Sequence, residues 1–267
     1  MGLIVAWILF SYLKCINSNE IEAPICLQTQ PNLNNASIVA LILARGGSKG
    51  ITLKNIVKMG GQPLLVRTLR TLLNFGRFDS LWVSTDDDRI ANEVGEAFPE
   101  NQVLIHFRPE AVAQDHTSSI ESTLEFLSRH PEIENIALVQ CTSPFLRTQH
   151  LEEAFVRFHS AAPPVDCVFS AVRSFKLRWI TIGPTGTLVP INFDPARRPR
   201  RQDWTGELTE TGMFYLTRRR LLMAGRFQNT HCDVVEVAAR DALEIDGRDD
   251  LELARMMVEL RHSDGQE

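Results

Sequence analysis

The residues best equipped for chemistry lie in one short stretch, LILARGGSKGITLKN (41–55). Arg45, Lys49 and Lys54 are cations, and Gly46, Gly47 and Gly50 leave the backbone between them free to bend. A guanidinium offers a bidentate fork and an ammonium a point charge, and both suit phosphate oxygens. Backbone amides of a glycine-rich turn can face the same anion. A polyphosphate is the natural guest. The stretch is neither of the common phosphate motifs. It lacks the G-x-x-x-x-G-K-[ST] of a P-loop and the G-x-G-x-x-G of a dinucleotide site. An ordinary exposed basic turn is the competing reading, and three cations directly behind a buried strand make it the weaker one.

The elements that must hold this stretch follow from apolar periodicity. SIVALILA (37–44) is a continuous apolar run, as expected of a strand covered on both faces. Leu65, Leu69 and Leu72 share one face of a helix over 63–76, closed by Gly76. Strand patterns recur at 81–85, 102–107, 136–140 and 167–172, with helices at 88–98, 118–130 and 148–160 between them. Ser118 and Glu121 form a capping box, Thr148 is placed to cap the helix over 148–160, and Asp249 the closing helix. Strand character returns at 213–219 and 234–238. This alternation predicts an α/β fold, a doubly wound and mostly parallel sheet. Residues 174–208 break it with prolines and no helical period, and read as an excursion that serves a subunit contact.

Composition narrows the function. The chain has 267 residues, a formal charge of −5 and 44% apolar residues, so it can build a large core and is not a general nucleic-acid binder. Its start is apolar from Leu3 to Leu13, too short to span a bilayer comfortably and suited to a signal peptide or signal anchor over 1–18. No lasting membrane span is expected. A polar linker over 19–37 follows, with one glycosylation sequon at Asn35. The cysteine spacings match no zinc site and no disulfide-dense scaffold, and Cys141 and Cys167 read as small buried hydrophobes.

Beyond these readings, LARGGSKGITLKN resembles the first signature of the CMP-sialic acid synthetases, a family of cytidylyltransferases. VSTDDDRIA (83–91), RPEAVAQDHTSS (108–119), QCTSPFLR (140–147), FDPARRPRRQDWTGEL (193–208), GMFYLTRR (212–219) and EIDGRDDLELA (244–254) agree in order. The likeness runs over about 38–262, and RRPRRQDW resembles the animal, insect-type members.

The resemblance implies a Rossmann-like nucleotidyltransferase that joins CTP to sialic acid and releases pyrophosphate. It places Arg45, Lys49 and Lys54 on the triphosphate and Asn55 on the ribose. Arg108, Thr117 and Ser119 would read the base and ribose, and Gln140 the sugar. Arg198, Arg201 and Gln202 would reach the sugar carboxylate or pyrophosphate, across a dimer interface in one reading. Arg45, Lys54 and Arg201 are the implied catalytic cations. The family's D-x-D pair is Glu244-Ile245-Asp246 here, and as alternate residues of a strand the two carboxylates would hold Mg2+. Thr52 stands where the family usually has Pro, and Thr209 and Thr211 where bacterial members have Arg and Asn. A homodimer or dimer of dimers is implied, and CMP-sialate consumption in the Golgi places the protein in that lumen. ARRPRRQ (196–202) has a rival reading as a nuclear-localisation signal. The alternative activities are transfer to another 2-keto sugar acid such as KDO, or nucleotide binding without turnover.

Overall fold

The computed structural model describes residues 37–263. Expectations for the signal over 1–18, the linker up to Ala36, the sequon at Asn35, and Cys15 and Cys26 fall outside that range. The elements are β1 (Ile38–Leu43), β2 (Lys58–Met59), β3 (Gln62–Pro63), α1 (Leu64–Phe75), β4 (Ser80–Thr85), α2 (Asp88–Ala97), β5 (Leu104–Phe107), α3 (Ser119–Arg129), β6 (Asn135–Val139), α4 (Thr148–Ser160), β7 (Cys167–Ser174), β8 (Trp179–Ile182), β9 (Thr187–Pro190), β10 (Glu207–Arg218), α5 (Arg219–Met223), β11 (Cys232–Glu236) and α6 (Arg248–Ser263). No described helix is long and apolar enough to cross a membrane.

Seven strands form one sheet in the order β11-β7-β10-β6-β1-β4-β5. All neighbours run parallel except β10, which is antiparallel to both β6 and β7. The expected doubly wound α/β sheet is the one observed. β1 lies between β4 and β6, because the chain winds outward through β4 and β5 and then crosses back to β6. That reversal opens a crevice beyond the carboxyl ends of β1 and β6, where open α/β sheets bind ligands.

The alternation of β1 explains its continuous apolar sequence. Ile38, Ala40 and Ile42 face the Leu65, Leu69 and Phe155 side, while Val39 and Leu41 face Phe126, Leu138 and Tyr215. Period two on a strand covered by helices on both faces demands apolar residues at every position. Leu65, Leu69 and Leu72 of α1 are buried as predicted, and the Gly76 N–H closes the helix on the Leu72 carbonyl at 3.2 Å. The Ser118 box forms as read: its hydroxyl accepts from Glu121 N–H, and Glu121 Oε2 accepts from Ser118 N–H at 2.7 Å.

Several local expectations are corrected. Thr148 is the first residue of α4, preceded by Arg147, whose N–H donates to His150 Nδ1 at 3.2 Å. Asp249 lies inside α6; its neighbour Asp250 instead reaches back to accept from the N–H groups of Asp246 (3.0 Å) and Gly247 (2.8 Å). The 174–208 excursion contains a hairpin, β8 paired with β9. β10 begins at Glu207, well before 213, and shifts register between Glu210 and Tyr215. Cys141 is a buried free thiol, but Cys167 forms a disulfide with Cys232. The pairing arises because the two residues are Cα partners on the parallel strands β7 and β11, far apart in sequence.

That bridge fastens an edge strand across a separation of 65 residues. Chain-entropy reasoning assigns such a loop about 4 kcal/mol. Cys232→Ser should lower unfolding stability by up to that amount in denaturant titration, and reductant should shift the wild type but not the variant.

Candidate active site

A cavity of about 400 Å³ occupies the crevice beyond β1 and β6. Its walls are the 45–55 loop, the segment opening α3, the residues just after β6, and Glu244 and Asp246 ahead of α6. Among the residues expected to act, Arg45, Lys49, Lys54, Asn55, Arg108, Thr117, Ser119, Gln140, Glu244 and Asp246 all line it.

The 45–55 loop is held by close approach rather than by glycine-type backbone angles. A Cβ on Gly50 would come within 2.8 Å of the Asp246 carbonyl oxygen, and one on Gly46 would overlap the Asp87 carboxylate. The Gly46 N–H donates to Asp86 Oδ1 at 3.0 Å. Leu53 is the residue in the left-handed region (φ 51°), an uncommon conformation for a branched side chain. It turns the chain into the short helical turn Lys54–Ile56. Lys54 Nζ then donates to the Ile245 carbonyl at 3.0 Å and to Asp246 Oδ1 at 3.3 Å. Asn55 is buried; its amide donates to the Arg45 carbonyl at 2.9 Å and accepts from the Cys141 thiol at 3.2 Å. Its side chain therefore braces the loop from beneath, besides lining the cavity where ribose contact was expected.

Asp115 is a site residue that sequence reasoning passed over, although it sits within RPEAVAQDHTSS. Its two carboxylate oxygens take Arg45 Nη1 at 2.8 Å and Lys49 Nζ at 2.9 Å. These cations hold its carboxyl below the usual range. A carboxylate thus stands where the phosphate oxygens of a guest would pair. Arg108 is nearly fully buried, and its Nε has no hydrogen-bond partner. Burial pushes the guanidinium's pKa down, yet an arginine keeps its charge. A buried donor without a partner is costly, so this atom is set for an acceptor on a ligand.

Glu244 and Asp246 flank Ile245, which is fully buried and whose N–H donates to the Thr142 carbonyl at 2.8 Å. The two carboxylates follow the last sheet strand, β11, as expected, in a segment that belongs to no strand itself. The Glu244 carboxyl is pushed up by burial and then by the charge of Asp246. Two crowded carboxylates are a fitting donor set for a hard divalent cation completed by phosphate oxygens and water. No group of three or more acidic, His or Cys side chains suited to metal occurs among the described residues. Gly212, at φ 70°, lets Gln140 and Glu244 close on the same floor: a Cβ there would lie 3.1 Å from Glu244 Oε2 and 3.3 Å from Gln140 Nε2.

The remaining expected residues lie elsewhere. Arg198, Arg201 and Gln202 do not line this cavity. Arg198 sits over the Phe193 ring at 5.7 Å and Arg201 over Phe175 at 4.8 Å, on the excursion. Thr211 is buried and donates to Ser170 Oγ at 2.8 Å, so its hydroxyl is spent within the sheet.

Displacing Asp115 from two cations opposes polyphosphate binding. Asp115→Asn should tighten nucleoside triphosphate binding by up to about fivefold, the scale of an exposed ion pair. Calorimetric Kd values for both chains check this.

The comparisons agree with this geometry. The cytidylyltransferase family profile matches residues 39–264. The chain is 40% identical to N-acylneuraminate cytidylyltransferase A of Danio rerio over 223 residues, 83% of this chain and 50% of that protein. It is 43% identical to N-acylneuraminate cytidylyltransferase of Oncorhynchus mykiss, over 70% of this chain and 43% of that protein. The chain therefore spans about half the length of these relatives. The structure of a CMP:2-keto-3-deoxy-manno-octonic acid synthetase complexed with CTP superposes with a TM-score of 0.63 at 18% identity, over 85% of this chain and 100% of that one. 4-Diphosphocytidyl-2C-methyl-D-erythritol synthase from Anaerococcus prevotii gives a TM-score of 0.61 at 18% identity, over 85% and 98%. These two likenesses speak for the fold alone. With a profile match over nearly all described residues, the chain belongs to the cytidylyltransferase family.

Proposed function

We propose that the protein is a CMP-sialic acid synthetase, activating N-acetylneuraminate with CTP. The observation that carries this reading is one cavity in which four cations, a partnerless buried Arg108 Nε and two crowded carboxylates converge. The relatives at 40 and 43% identity, named for N-acylneuraminate, favour this substrate over KDO. They also favour an enzyme over a binding module.

The anomeric 2-hydroxyl of the sugar attacks the α-phosphorus of CTP in line. A P–O bond forms to the sugar oxygen, the bond from the α-phosphorus to the α–β bridging oxygen breaks, pyrophosphate leaves with that oxygen, and the hydroxyl proton passes to solvent water. Such chemistry depends on positioning and charge neutralisation. Arg45 and Lys49 release Asp115 and take the phosphate oxygens. Lys54, anchored on the Ile245 carbonyl, holds its charge against the triphosphate. Arg108 meets acceptors on the cytosine, and Thr117 and Ser119 lie beside the base and ribose at the amino end of α3. Gln140 faces the sugar. Mg2+ suits Asp246 and Glu244, and when bound it supplies further neutralisation of phosphate charge.

Arg198, Arg201 and Gln202 then serve the site of a second chain. Their support is the hairpin that carries them outward, where Trp179, Ile180, Ile182 and Leu188 are all about half exposed or more. Apolar surface of this kind marks a subunit contact. Sedimentation of the full chain at micromolar concentration reads the resulting homodimer, and a monomer there would refute it. A secretory, Golgi location is supported by the apolar start and by the Cys167–Cys232 bridge, which persists in oxidising compartments. Glycosidase treatment of the expressed protein should increase its gel mobility through Asn35; no shift together with nuclear staining would overturn this.

Arg45→Ala and Lys54→Ala should each lower kcat/KM for CMP-sialate formation by about 10²–10³-fold with the fold intact. Pyrophosphate release measured with CTP, magnesium and either sialate or KDO decides the substrate. In the same assay Asp246→Asn should lose most activity at any practical magnesium concentration, whereas Glu244→Gln should chiefly raise the magnesium required. An Asp246→Asn titration that follows the wild type would place the metal elsewhere.

A further inference from the structure

A second cavity, of about 370 Å³, lies on the far side of the segment that follows β6. Gln140, Cys141 and Thr142 line the active cavity, and the next residues, Pro144 to Arg147, line this one. Its other walls are one face of α1, the first turn of α4 and the end of α6. Four guanidiniums border it, from Arg67, Arg70, Arg147 and Arg261, and no carboxylate lines it among the described residues. On α1, Arg67, Arg70, Thr71 and Asn74 repeat at helical spacing and so present one polar face.

Arg67 is already engaged, its Nε donating to the Pro144 carbonyl at 3.2 Å, and the charge of the other three is unbalanced among the described residues. Arg147 Nη2 and Arg261 Nη2 share a single carboxylate oxygen, Asp241 Oδ1, at 3.0 and 2.9 Å. Asp241 is buried behind them. Arg70 is exposed and has no ion pair among the described residues. Arg147 Nε is buried and has no hydrogen-bond partner. Arg147 also precedes α4 and, having no acceptor in its side chain, leaves the positive end of that 13-residue helix uncapped from its own position. Nothing in the proposed transfer chemistry uses these groups. Arginine in place of lysine matters, because planar forks match phosphate oxygens in pairs.

We propose that this cavity is a second anion site, taking a compact phosphate-bearing ligand. Inorganic phosphate, pyrophosphate and the phosphate groups of a nucleotide share the required chemistry. The ligand's oxygens take Arg70 and the unsatisfied Arg147 Nε, with Arg261 on the rim above Phe145, 4.0 Å from its ring.

Calorimetry of the full chain with pyrophosphate tests this independently of turnover, so its outcome is separable from that of the enzymatic reading. The wild type should bind two pyrophosphates per chain, and Arg45→Ala/Lys54→Ala should retain one. In that background Arg70→Glu should weaken the remaining site by about tenfold or more, and Arg147→Gln likewise. Arg70 is exposed, so its substitution should leave the thermal unfolding midpoint unchanged. Repeating the titration with inorganic phosphate and with CTP identifies which source the site prefers. A single site in the wild type that vanishes in Arg45→Ala/Lys54→Ala would overturn the proposal. So would retained affinity in both Arg70→Glu and Arg147→Gln.

Discussion

The ammonium of Lys54 holds the site together. It joins the loop after the first strand to the Ile245 carbonyl and the Asp246 carboxylate, groups 191 and 192 residues further along the chain. Hydrogen bonds from a charged donor contribute about 1.5–3 kcal/mol where they are sheltered, and Lys54 is largely covered. Asn55 acts at the next position in the opposite direction, bracing the Arg45 carbonyl and the Cys141 thiol. Two successive side chains therefore connect the phosphate loop to the segment after β6 and to the segment ahead of α6. The left-handed turn at Leu53 is what aims them apart.

Around that brace the cavity carries its own provisional counter-ions. Asp115 occupies Arg45 and Lys49, and Asp246 occupies Lys54, so three of the four cations are paired before any ligand arrives. Arg108 is the exception. It is buried, its nearest charges act at a distance, and its Nε has no partner. The two Asp115 pairs are exposed and can exchange one anion for another at little cost, while Lys54 is the sheltered member of the set. The buried guanidinium cannot be satisfied by solvent, so it selects for a ligand with an acceptor at one place. Exposed, exchangeable charge and a buried, partnerless donor are thus carried by different side chains.

The excursion is tied to the sheet by arginine–carboxylate pairs. Arg178 forks onto Glu207 at 2.8 and 3.0 Å, and Arg173 pairs with Glu236 and the Thr205 carbonyl. Arg178 thus fixes the base of the hairpin to the start of β10, and Arg173 joins β7 to β11 and to the end of the excursion at Thr205. The arginines beyond it are held against Phe193 and Phe175, away from their own cavity. The hairpin itself exposes Trp179, Ile180, Ile182 and Leu188.

Much of this was readable in the linear sequence because it is local. Continuous apolar strands, the i, i+4 leucines of α1, the Ser118–Glu121 box and the Arg45–Lys54 loop depend on neighbours within a few residues. What the sequence could not determine depends on residues brought together from far apart. The Cys167–Cys232 bridge exists only because β7 and β11 become adjacent parallel strands. Glu244 and Asp246 share the cavity because the segment between β11 and α6 is pinned at Ile245 to the Thr142 carbonyl. Asp115 was present in a quoted motif, but its role is set by the distance to two cations on another loop. Asn55 lines the cavity as its position implies, and the bonds to the Arg45 carbonyl and the Cys141 thiol that also make it a brace come from the tertiary structure. Residue types and short spacings set three cations directly behind the first strand; the crossover that returns β6 beside β1 decided which distant groups would meet them there.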